Sequence, residues 1–279
     1  MPRTKGPSTI FRDVFSEELL NRSFIYKKGA FYKMDISHHW LQSVFCEPYW
    51  GNKYYRIGVE CLPLTFGPFD YPSFTKSTIG CDLDQYIISI RKLSREIDVS
   101  AEMDSPYIKK FGSGDDGIDY SVFRANIVDE DYFRYSLREL TEYILPELDS
   151  VFSFEDALRT RLKMHCQWQF PKNLAYEGEQ WILSYAFLDD YVRAYESAST
   201  AYWIYKKECE TLEELLSTGA TNEIVVAGKK EMMQLFENYG ILMSTDDGRK
   251  KVKDIAERRV KESESEWESY TCKRKKVKP

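Results

Sequence analysis

Apolar residues first recur at helical spacing. Ile10, Phe11, Val14, Phe15, Leu19 and Leu20 fall on one side of a 3.6-residue repeat. They predict an amphipathic helix that begins near Ser8, whose hydroxyl suits a helix cap, and stops near Asn21 to Ser23. The pattern then changes. Phe24 to Leu64 reads as a meander of three aromatic-rich strands. Phe24-Ile25-Tyr26 and Phe31-Tyr32 flank Lys27-Lys28-Gly29-Ala30, where the glycine marks a turn or bulge. His38 to Phe45 places His39, Leu41, Ser43 and Phe45 on one face and Trp40, Gln42 and Val44 on the other. In Tyr54 to Leu62, the residues Tyr55, Ile57, Val59 and Cys61 share a face. Pro48-Tyr49-Trp50-Gly51-Asn52 suits the hairpin loop between these strands. Pro63 ends the third strand, because proline cannot donate to a ladder.

Beyond Leu64 the alternation stops. Pro68 and Pro72, set among Phe66, Phe69, Tyr71 and Phe74, predict a loop pinned by aromatics. Asp82 to Leu93 carries a short helical stripe. Asp98 to Asp119 is polar and contains Gly112-Ser113-Gly114-Asp115-Asp116-Gly117, which predicts a loop or a domain boundary. From Asp129 the period is helical again, through Phe133, Leu137, Leu140 and Ile144, until Pro146 bends or ends the helix. Ser153 to Met164 predicts a short helix, and Gly178 to Leu216 a helical hairpin jointed at Asp189-Asp190, where the aspartates suit a cap. Leu183 to Ala194 looks like the joint of a tetratricopeptide repeat, but no 34-residue period follows. Asn222 to Tyr239 and Asp246 to Tyr270 complete the series.

Strands segregated ahead of helices predict an α+β fold. An N-terminal helix would pack on a small antiparallel sheet, followed by a mostly α-helical C-terminal half. The expected division is residues 1–125 as the sheet domain, 126–270 as the helical region and 271–279 as a basic tail.

The composition agrees with a packed protein. The chain has 279 residues, 43% apolar and 15% aromatic, enough to fill a sizeable core. Its net charge of −6 argues against a body built to bind nucleic acid. The six cysteines include no C-x-x-C pair, and a chain this long and cysteine-poor is expected to keep them reduced. The opening Met-Pro-Arg-Thr-Lys-Gly-Pro lacks the apolar run of a signal peptide, and no stretch approaches the roughly 20 apolar residues that span a bilayer. The expectation is a cytoplasmic protein, of bacterial or phage origin, with no membrane association.

Candidate chemistry is sparse. His38 and His39, adjacent on a strand, would point to opposite faces, and His165 with Cys166 has no third ligand nearby in sequence. No metal site is expected. Asp115 and Asp116 lack the spacing of a calcium loop, and Gly112-Ser113-Gly114 lacks the lysine of a phosphate loop. No G-x-S-x-G occurs. No catalytic residue and no cofactor is therefore expected. Lys273 to Lys278 offers a contact for nucleic acid or for an acidic partner. The remaining candidates are aromatic. If the sheet keeps one face open, Trp40, Gln42, Tyr54 and Tyr55 would anchor a protein partner there, as tyrosine and tryptophan do at interfaces.

A family likeness sits on the same strands. Phe24-Ile25-Tyr26-Lys27-Lys28-Gly29-Ala30-Phe31-Tyr32-Lys33, then Leu41-Gln42-Ser43, then Tyr55-Arg56-Ile57-Gly58-Val59 resemble bacterial proteins of domain-of-unknown-function family 4304. That family's element reads G-F-x-K-x-G-x-x-F-Y, and Ser23 stands here where the family has glycine. The likeness spans about 45 residues. The family has no established activity; relatives near toxin or phage-defence genes imply an immunity or accessory role. The expected function is a non-enzymatic cytoplasmic binding protein, with the sheet face and the helical hairpin as its contact surface. The alternative is a metal-dependent enzyme acting on nucleic acid or nucleotides, with carboxylates assembled in space.

Overall fold

The computed structural model describes residues 6–49, 54–67, 69, 81–82, 113–114, 117–118, 130–165 and 177–272. These fall into two compact units. One is drawn from residues 1–62 and 70–167, the other from 63–69 and 168–279. The fold is α+β, with an N-terminal helix and an antiparallel sheet followed by a mostly helical C-terminal half.

In the sheet unit, α1 spans Pro7–Asn21. Its N-cap is Gly6, and no side chain caps it, so Ser8 is not the cap that its hydroxyl suggested. Pro7 explains the shift: its fixed φ and missing N–H suit the first helical position. Phe11, Phe15 and Leu19 are the buried stripe. Ser23, just past the helix, has φ 67°, in the left-handed region that favours glycine. The hairpin β1 (Ile25–Lys27) and β2 (Ala30–Asp35) turns on Lys28 and Gly29, at φ 50° and 94°. Two positive φ values match the right-handed twist of paired strands.

Next come β3 (Trp40–Tyr49), β4 (Tyr54–Pro63) and a two-residue β5 (Cys81–Asp82), so Asp82 lies in a strand rather than at a helix start. The sheet order is β1-β2-β3-β4-β5. Phe31 pairs with Val44 and Tyr32 with Ser43 across β2 and β3. β3 begins two residues later than the expected His38. Asp35 stops the preceding strand by accepting from the His38 N–H (3.0 Å) and contacting His38 Nδ1 (2.8 Å), and His39 takes φ 57°. Gly58 on β4 makes room for Phe45: a Cβ there would lie 2.2 Å from the phenyl ring.

Among the described residues, three further helical pieces belong to this unit. α2 (Glu130–Glu139) passes through a π-helical turn, Leu140–Ile144, into α3 (Leu145–Asp149). Pro146 lies in the first turn of α3, and the Leu145 N–H bonds back to Leu140 O. Proline cannot continue the ordinary ladder, and the widened turn accommodates it. α4 (Phe154–His165) is capped by Ser153, whose Oγ accepts from the Asp156 N–H (3.1 Å) and donates to Asp156 Oδ2 (2.8 Å). A two-residue pair, β6 (Ser113–Gly114) and β7 (Gly117–Ile118), forms a separate ladder. The expected loop residues Asp115 and Asp116 lie outside the described residues.

Phe11, Phe15, Phe31, Val44, Ile57 and Phe133 share one core. Tyr32, Leu41, Phe45 and Leu62 alternate onto the opposite face and are buried as well. The sheet is therefore covered on both sides over these residues.

The helical unit holds α5 (Gly178–Phe187), α6 (Tyr191–Ser217), α7 (Glu223–Met243) and α8 (Asp246–Cys272). Asp190 and Asn222 cap α6 and α7 by accepting from the N–H of Arg193 and Val225, both at 3.1 Å. Asp189 does not cap. It sits at φ 59° and accepts from Lys253 Nζ (2.6 Å) and Tyr191 OH (2.8 Å). The unit is completed by residues 63–69, whose turn Leu64–Phe66 packs between α5 and α8. Ser263 Oγ donates to Leu64 O (2.9 Å), and Phe66 meets Trp181 edge-on at 5.3 Å. Ser184 Oγ donates to Gln180 O, which leaves it to accept from Thr65 Oγ1 at 2.6 Å. Among the described residues, no helix is long and apolar enough to cross a membrane.

Candidate functional site

The site residues expected on the sheet are interior. Trp40 is 3% exposed and Gln42 0%. The anticipated open face is corrected by the helices that cover it: Trp40 joins the core with Phe31 and Val44, and Gln42 Nε2 donates to Leu148 O at the end of α3 (2.8 Å). Tyr54 and Tyr55 belong to β4, and their side chains lie outside the described residues, as does the whole of Lys273 to Lys278. Nearby Cys61 is also fully buried, and burial pushes its thiol up to about 12, so it is no nucleophile. Among the described residues no three His, Cys, Asp or Glu side chains converge on a metal position.

The helical unit carries the better candidate. α6 has two apolar faces. Ala194, Ala198 and Ala201 form the buried one, and their small side chains let neighbouring helices approach. Val192, Tyr195, Ser199, Tyr202 and Trp203 follow the same spacing on another side of the helix. Tyr195 is 49% exposed and Trp203 58%. α7 lies alongside, anchored by Phe236, which stacks on Tyr205 with ring centroids 5.5 Å apart. Ile241 of α7 is 61% exposed.

Between the two helices runs an open groove of about 390 Å³. Tyr195, Ser199, Tyr202 and Trp203 line it from α6, and Phe236, Glu237, Gly240, Ile241 and Ser244 from α7 and its end. Tyr202 and Trp203 meet as a corner, with centroids 5.5 Å apart and planes at 73°. The Lys206 ammonium rests on this corner, 4.7 Å from the Trp203 centroid and 6.0 Å from that of Tyr202. Glu237 accepts from Gln234 Nε2 at 2.8 Å. A part-buried hydrogen-bond cluster ties α7 to α5 and α8: Tyr239 OH donates to Glu179 Oε1 (2.7 Å), and Arg259 pairs with Glu179 Oε2 (2.5 Å). Burial, reinforced by that acceptor, raises the Tyr239 phenol above its ordinary range, so it stays a donor.

Helical spacing predicts the hairpin over Gly178 to Leu216, but it does not predict the groove. The available signal was surplus. A helix that already has an alanine stripe needs no second apolar row, so Val192, Tyr195 and Trp203 were free to face outward.

A second depression, on the sheet unit, is lined by Arg134, Leu137, Arg138, Thr141 and Glu142 beside the π-helical turn. Its cations are engaged locally, Arg134 with Glu130 and Arg138 over the Tyr135 ring. Among the described residues, none that lines it is aromatic.

No protein-family model matches the chain, and no curated protein or solved structure does either.

Proposed function

We propose that this chain is a non-enzymatic binding protein that holds a protein partner along the groove between α6 and α7. One observation carries the reading: Tyr195, Trp203 and Ile241 are exposed together in a single concave surface. Single exposed apolar residues are ordinary, whereas a contiguous aromatic patch rimmed by polar groups marks an interaction site. Large, stiff aromatic side chains lose little entropy on docking and dominate interface energetics. The buried sheet supplies the scaffold in this reading, not the contact surface. A cytoplasmic setting, supported by the expectation of reduced cysteines, and an immunity or defence-associated role, supported by the resemblance of about 45 residues around the sheet strands, belong to the same proposal.

The test is co-purification from cells of the source organism, with Trp203→Ala and Tyr195→Ala as variants. Both should lose a partner that the parent chain retains, with melting stability changed by no more than about 0.5 kcal/mol, as for other surface substitutions. A partner that stays bound to both variants removes the groove from the proposal.

A further inference from the structure

We infer that the groove receives an arginine side chain of the protein partner, laid on the Tyr202–Trp203 corner and facing Glu237. The inference rests on the groove being the partner site and adds the chemistry of the occupant.

Three observations converge. The corner already holds a cation, since the Lys206 ammonium lies 4.7 Å from the Trp203 centroid and within reach of Tyr202. A positive group is drawn to the electron-rich face of an aromatic ring, and indole binds most strongly. Glu237 lines the same groove from the other helix and supplies the opposite charge. The two helices together carry eight acidic and five basic side chains, so the surroundings favour a positive visitor.

Arginine suits this arrangement better than lysine. Its guanidinium is flat, stacks on an aromatic face and sheds water readily, and its edge can still donate two hydrogen bonds to a carboxylate. Lys206 is then a tethered competitor. It occupies the corner in the free protein and swings away when the partner's guanidinium arrives. Its long flexible stem makes that exchange cheap.

The experiment uses the full chain and three pentapeptides: acetyl-Leu-Gly-Arg-Gly-Leu-amide and its citrulline and norleucine counterparts. Binding is read from the Trp203 indole N–H resonance, assigned by its loss in Trp203→Phe. The arginine peptide should shift that resonance saturably, and about fivefold more tightly than the uncharged citrulline peptide of the same shape, the ratio expected for one cation–π contact of ~1 kcal/mol. Glu237→Gln should weaken the arginine peptide several-fold. Lys206→Gln should strengthen it, which a merely structural lysine would not do. Equal binding of arginine and citrulline, or no gain from Lys206→Gln, overturns the inference. A norleucine peptide that binds as well as the arginine one also overturns it but leaves the groove standing as an apolar partner site. A chain that shifts with none of the three peptides overturns it too, and co-purification then decides the groove separately.

Discussion

At the scale of single residues, backbone and side-chain chemistry at two positions lead to measurable expectations. Ser23 sits at φ 67° without a glycine's freedom, a conformation that costs a side chain roughly 1 kcal/mol. Ser23→Gly should therefore raise stability by about 0.5–1 kcal/mol, read from the urea midpoint. An unchanged or lowered midpoint would mean that the serine is not strained there. Asp156 concerns pH. The Ser153 hydroxyl, opposed by partial burial and helped by the Phe152 N–H, holds its carboxyl below the ordinary range. A folded-state pKa below the unfolded one stabilises the fold above the unfolded value, about 3.9, and that contribution disappears as pH falls through the folded value. The stability gap between the parent and Asp156→Asn should thus be constant at pH 5 and above and close below about pH 4. A gap that stays constant down to pH 2 would contradict this assignment. Trp40 shows the opposite lesson about single residues. Its type and its alternation were legible, but whether its face met water depended on helices far away in sequence.

Elements are where the sequence was most readable. Helical spacing located α1, α4, α6, α7 and α8 to within a few residues, because each has an apolar stripe that recurs every three to four positions. Alternation located β3 and β4, whereas β1 and β2 were expected as one strand with a turn or bulge at Gly29. The errors came where local hydrogen bonds competed with propensity, as in the Asp35–His38 turn that delays β3. The groove was hidden because periodicity reports that a helix is apolar, not which of its apolar rows finds a neighbour. One contact between elements could not be foreseen at all. Glu60 of β4 and Arg161 of α4 pair while both are fully buried. Two charged residues 101 positions apart give no sequence signal of such a pairing. Removing one partner takes a counter-charge from a buried group, so Arg161→Met should cost about 3–5 kcal/mol, whereas Glu60→Leu with Arg161→Met should recover part of that loss. A double-mutant cycle by chemical denaturation checks both figures. A single-variant cost below about 1 kcal/mol would show that water reaches the pair.

For the whole molecule, the α+β class was legible from strands preceding helices, but the membership of the two units was not. Contact partners decide that membership, and residues 63–69 share a unit with helices that begin more than a hundred positions later. A fragment of residues 168–279 lacks Leu64, which is fully buried in the intact chain. Losing that one side chain should remove about 1.5–3 kcal/mol. The fragment should be digested faster by protease than the same helices in the full chain, and a synthetic peptide of residues 62–70 should slow digestion again. Equal resistance without the peptide would show that the four helices are self-sufficient. The same segment constrains biosynthesis. Leu64 leaves the ribosome 199 residues before Ser263, the hydroxyl that holds its carbonyl. At about 5–20 residues per second that interval is roughly 10–40 s, during which an apolar stretch waits for its cradle. Nascent chains stalled between these two points should therefore recruit chaperones more strongly than released ones.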